Sequence, residues 1–335
     1  MTHRADGISV IICAYTEERF DNLVIAIESV KQQTVPAREI IIVIDHNARL
    51  LMRIRIKVPD VVVVENSGDH GLAGARNTGL AVATGSLVAF LDDDAIATPS
   101  WLEQLCVGFA DHRVIGTGGT LTPLWELKEP AWFPAEFHWV VGCSYLGMPQ
   151  TVTSIRNPIG ANMAFRRRIF DEIGGFQAGI GRVGSHPISG EETELCIRAR
   201  QLLPGSMFLH QPQANVFHHV PVKRTTWDYF CLRCYSEGLS KAIVTQSTGT
   251  RDGLASERAY MFRTLPIGVL RGFSDGLFRL DFAGWARAGA IIAGLSITVW
   301  GYVIGKASIH VAIDHKKLVH KIIQEKQEKM LSGKY

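Results

Sequence analysis

Leu87-Val-Ala-Phe-Leu-Asp-Asp-Asp94 is a short apolar run that ends in three consecutive carboxylates. A run of this length reads as a buried strand. Acids at the carboxyl end of such a strand fall where open α/β sheets bind ligands. Packed together they repel one another unless a cation sits among them, and Mg²⁺ or Mn²⁺ bridging a diphosphate suits one or two carboxylates plus phosphate oxygens. The plainer alternative is a helix cap, with Asp94 capping the segment after Ala95.

Working outward, the first 120 residues alternate apolar runs with amphipathic segments, the pattern of a mostly parallel sheet with crossover helices. Ile8–Cys13, Glu39–Ile44 and Val61–Val64 read as strands one to three, the latter two apolar enough for burial on both faces. Leu23, Ile27 and Val30 lie at helical spacing within Glu17–Gln33. Pro99–Ala110 fits a helix with Pro in its first turn, and Val114–Gly119 fits a fifth strand. Asp45 follows strand two, so two neighbouring strand ends present carboxylates to one crevice; by itself Asp45 fits equally the start of a turn with Asn47. Gly68-Asp-His-Gly-Leu-Ala-Gly-Ala-Arg-Asn-Thr-Gly79 opens toward a helix and places Arg76 and Asn77 to meet a nucleotide. It is not G-x-G-x-x-G and does not follow strand one, which argues against a dinucleotide dehydrogenase.

Beyond Thr120 the Trp/Pro-rich stretch Leu124–Trp139 has no clean period and reads as a substrate-shaping loop. Helical character governs from Trp227 onward, so the expected division is residues 1–225 as the catalytic unit and 226–335 as a helical extension. The composition of the 335 residues, 47% hydrophobic and 20% charged, excludes a disordered chain. A net charge of +3 lacks the basic excess of a nucleic-acid binder. Seven lysines against three acids give Lys306–Tyr335 a net +4, which leaves −1 for residues 1–305. Six dispersed cysteines are too few for a disulfide scaffold and imply a reducing compartment; Cys231-Leu-Arg-Cys234 lacks a second pair for zinc. The polar N-terminus does not read as a signal peptide.

The motifs, taken in order, resemble glycosyltransferase family 2 enzymes of the GT-A fold: Ile8-Ser-Val-Ile-Ile-Cys-Ala-Tyr15, Asp45, Gly74-Ala-Arg-Asn-Thr-Gly79, Phe90-Leu-Asp-Asp-Asp94, Gly160-Ala-Asn-Met-Ala-Phe-Arg166 and Gly190-Glu-Glu-Thr-Glu-Leu195. The resemblance implies a Rossmann-like α/β fold, a UDP-sugar donor, Mn²⁺ or Mg²⁺, and inversion at the anomeric carbon. It places Ala14, Tyr15, Glu17, Asp45, Arg76, Asn77, Asp92 and Asp93 around the nucleotide sugar, with Asp45 and Arg76 facing the base. Asp92, Asp94 and His218 become the metal site, His218 coming from Val216-Phe-His-His-Val220. Trp139 and Asn162 fall on the acceptor side. Glu192 stands where the family has its general base, an Asp, and the adjacent Glu191 keeps that assignment open. The Q-x-x-R-W motif of processive synthases is missing, which favours transfer of one sugar. Trp125, Trp132-Phe-Pro134, Trp139–Tyr145 and Arg156–Asn162 resemble archaeal-type glucuronosyltransferases that extend a glucosyl-dolichyl phosphate. A glucuronate carboxylate would need a cation, for which Arg156, Arg166 and Arg182 are candidates.

Ala288–Gly305 is an uncharged run of 18 residues, at the lower limit of a spanning helix. Spanning, re-entrant and buried-core readings all fit it. A single span would put the basic tail outside if the catalytic unit is cytoplasmic, against the positive-inside tendency. Tyr260–Leu280, with three arginines among Leu and Phe, reads as an amphipathic surface helix. The function expected is an inverting transferase on the cytoplasmic face of the cell membrane, acting on a lipid-linked acceptor. A soluble or protein acceptor, and a non-catalytic sugar-binding protein, are the alternatives.

Overall fold

The computed structural model describes residues 7–177, 181, 189–249 and 260–331, with side chains through residue 308. Strands β1 (Ile8–Ala14), β2 (Glu39–Ile44), β3 (Val62–Glu65) and β4 (Leu87–Asp92) pair in parallel in the order β3-β2-β1-β4. Helices α1 (Phe20–Lys31), α2 (Ala48–Lys57) and α3 (Leu72–Val82) make the crossovers. Successive strand residues feed opposite faces: Val10, Ile12, Ile42, Ile44, Ala89 and Leu91 pack in one core, and Ile11, Ile41, Val43, Val88 and Phe90 in the other. That two-sided burial makes the parallel runs continuously apolar. Strand β3 departs from the expectation: it is the sheet edge, and Val62 is 42% exposed.

Past Asp92 the sheet becomes mixed. The next elements are β5 (Ala95–Ala97), α4 (Trp101–Val107), β6 (Val114–Trp125), β7 (Thr153–Ile155), β8 (Asn162–Arg166), α5 (Ile169–Ile173), α6 (Glu191–Leu202) and β9 (Met207–Val220). Strand β8 inserts antiparallel between β4 and β6, and β9 runs parallel to β6 while pairing antiparallel with β5 and β7. The β5–β9 register sets Ala95 opposite His218. The acidic turn Asp92–Asp94 is thereby carried to a histidine 124 positions after Asp94 in the chain.

Within the Trp/Pro-rich stretch, residues 126–134 form the expected loop, but its aromatic side chains are packed into a core. Trp125 closes β6, and Trp132, Phe133 and Phe137 interlock with Trp227 and Phe230 at ring separations of 5.3 to 5.6 Å. Edge-on and tilted aromatic pairs of this kind fill volume without a repeating period, which is why periodicity did not reveal a core. Trp227 and Phe230 begin α7 (Trp227–Thr248), which is followed by a π-helical turn (Tyr260–Thr264), α8 (Leu265–Phe278) and α9 (Phe282–Leu331). Among the described residues, one stretch, Phe282–Ser308 of α9, is long and apolar enough to cross a membrane.

Candidate active site

Asp92, Asp94 and His218 bring one ligand atom each within 4.8 Å of one another. His218 Nε2 lies 3.2 Å from Asp94 Oδ1, a buried oxygen with no hydrogen-bond partner. Two carboxylates and an imidazole, with an acceptor oxygen left over, are a donor set that suits a hard divalent cation completed by phosphate and water oxygens. Burial pushes the Asp94 carboxyl up, but the opposing pull of His218, Arg224 and Arg19 holds it well below the usual carboxylate range. For His218, burial acts downward and the Asp94 charge outweighs it, pushing the imidazole up to about 10.

Two of these partners were not legible from sequence. Arg19, just before α1, reaches Asp94 Oδ2 at 2.8 Å and Asp93 Oδ1 at 2.9 Å, and Arg224 reaches Asp94 Oδ2 at 3.4 Å. Both arginines line the cavity described below, beside the acids. No local motif marks either, because the contacts are made between distant parts of the chain. Asp93 is turned inward: burial and the neighbouring carboxylates push it up to about 8, and it pairs with Arg19 at 2.9 Å.

Arg76 is held by protein partners on several sides. It is 2% exposed, donates from Nη1 to Glu191 Oε1 at 2.8 Å and from Nη2 to the Gly160 carbonyl at 3.0 Å, and lies 3.7 Å from Asp92. Gly79 lets α3 close on β1, since a Cβ there would sit 2.6 Å from the Ile11 side chain. Arg76 ties Asp92 at the end of β4 to Glu191 of α6, and it lines the cavity described below. Asn77 clasps the Phe176 backbone through two 2.8 Å hydrogen bonds. Asn162, fully buried, accepts from Trp101 Nε1 and donates to the Thr120 and Ala214 carbonyls, bracketing the core there.

At the β1 and β2 ends, Asp45 accepts from Asn66 at 2.6 Å and from the Gly71 amide at 2.9 Å, and His46 lies at 2.9 Å. Burial raises the Asp45 carboxyl, and those contacts outweigh it and keep it low. The carboxylate thus pins the loop that opens α3. Ala14 is buried, Tyr15 is 44% exposed with its ring 5.1 Å from the Arg19 guanidinium, and Glu17 pairs with Arg49 and Arg53.

Gly190, at φ 110°, turns the chain into α6 in a backbone conformation that L residues rarely adopt. The turn delivers Glu191 and Glu192 to a cavity of about 1000 Å³. Glu191 is committed to Arg76, whereas Glu192 is pushed up to about 8 by burial and by the Glu191 charge. The cavity runs from Arg19, Asp92, Asp94, His218 and Arg224, past the glutamate pair, to Trp139, Leu295, Val299 and Tyr302. Trp139 Nε1 donates to Tyr260 Oη at 3.0 Å, and Tyr260 in turn donates to the Glu136 carbonyl. Of the cations considered for a glucuronate carboxylate, Arg156 lines the cavity, Arg166 is spent on the carbonyls of Val114, Phe109 and Asp111, and Arg182 lies outside the described residues.

Residues 9–174 match the family model for glycosyl transferase family 2. The glucosyl-dolichyl phosphate glucuronosyltransferase of Haloferax volcanii is 34% identical over 241 residues, covering 71% of this chain and 77% of that protein. The pre-mycofactocin glycosyltransferase of Mycobacterium tuberculosis is 28% identical over 172 residues, 50% of this chain and 34% of that one. Among solved structures, the mannosyltransferase PcManGT of Pyrobaculum calidifontis, in complex with GDP-Man and Mn²⁺, superposes with a TM-score of 0.52 at 18% identity, covering 89% of this chain and 88% of that one. GalNAc-T7 with UDP, GalNAc and Mn²⁺ gives 0.50 at 18% identity, covering 77% and 54%.

Proposed function

This chain belongs to glycosyl transferase family 2 and has the GT-A fold, and from that premise we propose that it moves a single sugar, glucuronic acid or glucose, from a UDP-linked donor to a hydroxyl of a lipid-phosphate-linked glycan, with inversion. The observation that carries this reading is the continuous cavity, charged at the strand ends and along α7, and lined without charge by Leu265 of α8 and Leu295, Val299 and Tyr302 of α9. Such a cavity matches a substrate pair in which a diphosphate must be neutralised at one end and a lipid-bearing acceptor admitted at the other.

Asp92, Asp94 and His218 would hold Mn²⁺ or Mg²⁺, which when bound supplies charge neutralisation at the donor diphosphate. Arg19 and Arg224 add fixed positive charge beside the place where the leaving phosphate oxygen becomes an anion. Glu192 accepts the proton of the acceptor hydroxyl as its oxygen bonds to the anomeric carbon and the carbon–oxygen bond to the diphosphate breaks. A base with its pKa near 8 is matched to that transfer at neutral to mildly alkaline pH. Glu191, held by Arg76, is a positioning residue whose charge tunes Glu192. Arg156 is placed to meet a glucuronate carboxylate. The similarity to the Haloferax enzyme supports a dolichyl-phosphate-linked acceptor, used at the cytoplasmic face of the cell membrane.

The test is transfer of label from each of several radiolabelled UDP-sugars by membranes containing the protein. The expected result is one donor whose label moves into an organic-extractable product, lost in Asp94→Ala. Label that stays aqueous for every donor overturns the lipid acceptor.

A further inference from the structure

Helix α9 is built inside out. Its inner stripe, Gly284, Ala288, Ile291, Gly294, Gly301 and Gly305, is buried on the body of the protein. The close approach needs glycine: a Cβ at Gly294 would sit 2.5 Å from the Phe137 ring, and one at Gly305 would sit 2.7 Å from Ala242 of α7. Its outer stripe is exposed and carries no charge from Phe282 to Val303, with Phe282 67%, Trp285 47%, Ile292 50%, Trp300 61% and Val303 49% exposed. A helix on a water-soluble surface turns its charged residues outward. Beside it, α8 buries Gly268, Gly272 and Gly276 and exposes Ile267, Leu270, Phe273, Leu277 and Phe278. Exposed Arg263, Arg271 and Arg279 lie around this apolar face.

The geometry decides how a bilayer meets this face. Contacts with the protein body run along α9 from Gly284 to Gly305, roughly 30 Å at 1.5 Å per residue. The neighbouring α7 carries Arg233, Glu237 and Lys241 into the cavity. Were α9 to cross the hydrocarbon, these charged groups and the cavity would be drawn in with it, at a cost that such side chains rarely meet. At 14 residues, α8 is about 21 Å long, too short to span beside it. The occupant that fits an uncharged stripe with basic neighbours is an anionic lipid surface, met from one side. Phe262 and Val299 both line the cavity and are exposed, at 78% and 46%.

We propose that α8 and the outer stripe of α9 form a docking surface for one leaflet of a bilayer, with α9 lying in the membrane plane and the cavity opening sideways into the acyl layer beside Phe262 and Val299. The docking surface stands on these helices alone; the lateral mouth rests on the lipid-linked acceptor proposed above. Flotation with vesicles of phosphatidylglycerol and phosphatidylcholine, free of any polyprenyl phosphate, tests the surface without the acceptor. The protein should float, and Leu270→Glu/Phe273→Glu/Leu277→Glu should lower the bound-to-free ratio by about tenfold or more, with an unchanged circular dichroism spectrum. A variant that floats like the parent, or a parent that does not float, overturns the surface. In sealed inverted membrane vesicles from expressing cells, external protease should degrade tags at both termini of the parent protein. An N-terminal tag digested with the C-terminal tag protected shows that α9 crosses, and overturns the in-plane arrangement even if the triple variant fails to fold. Flotation without any lipid-linked product separates failure of the acceptor reading from failure of the docking surface.

Discussion

The two ends of the cavity are built by opposite rules. At the strand ends charges are buried and paired: Arg76 with Glu191, Arg19 with Asp93 and Asp94, His218 with Asp94. At the helical end α7 still contributes Arg233, Glu237 and Lys241, but the α9 wall is Leu295, Val299 and Tyr302, and the outer stripe of α9 behind it is uncharged. Bond breaking at a diphosphate demands fixed charge that is already oriented before substrate arrives. Admission of a lipid demands that no charge stand in its path. In the function proposed above, the first demand would fall to loops at the carboxyl ends of the strands and the second to α8 and α9, which carry glycine on the inside and apolar bulk outside.

The sharpest way to break the charged end is Asp94→Ala, which removes one of the three groups that would hold the cation and takes the carboxylate partner from His218 and Arg224. Turnover measured with the transferred sugar should fall by roughly 10³-fold or more. Glu192→Gln should lower kcat/KM by roughly 10² to 10⁴-fold. The parent's kcat/KM should rise as pH climbs through about 8, because the base acts only when deprotonated, and that rise should vanish in the variant. A pH profile identical in parent and variant rejects Glu192 as the base. Arg76→Met leaves Glu191 buried without its partner and should cost about 3–5 kcal/mol of unfolding free energy, read from urea titration; the same change should alter the pH profile of Glu192 if Glu191 tunes it. At the helical end, Gly272→Ala forces a Cβ to 2.5 Å from the Gly284 carbonyl. The expected loss is about 1–3 kcal/mol, with the charged end's pH profile unmoved.

Residues with local chemistry were readable. The strand pattern of 8–91 and the acids of Asp45 and Asp92–Asp94 follow from apolar runs that stop at polar turns, and a short-range pattern survives in a linear text. The hydrogen-bond partners of Arg76, Asn77 and Asn162 did not follow from their motifs, because Glu191, Phe176 and Trp101 lie 115, 99 and 61 positions away in the chain. Arg19 and Arg224 were missed since the chain between Arg19 and Asp94 is 75 residues long and that between Asp94 and Arg224 is 130. Val62 was expected to be buried because an edge strand and a central strand share one composition when only their order in the sheet differs.

Apolar periodicity and the acids at strand ends were sufficient by themselves to determine the α/β class, the crevice lined by carboxylates at the strand ends and the existence of an uncharged run before the basic tail. Only the tertiary structure decided that Arg19 and Arg224 flank Asp94, that Glu191 is engaged by Arg76 while Glu192 is not, and that the uncharged helix lies along the body of the protein. The reason is physical: periodicity records how each segment partitions between water and core, whereas pair formation depends on strand register and helix approach, which are set by packing across the whole chain.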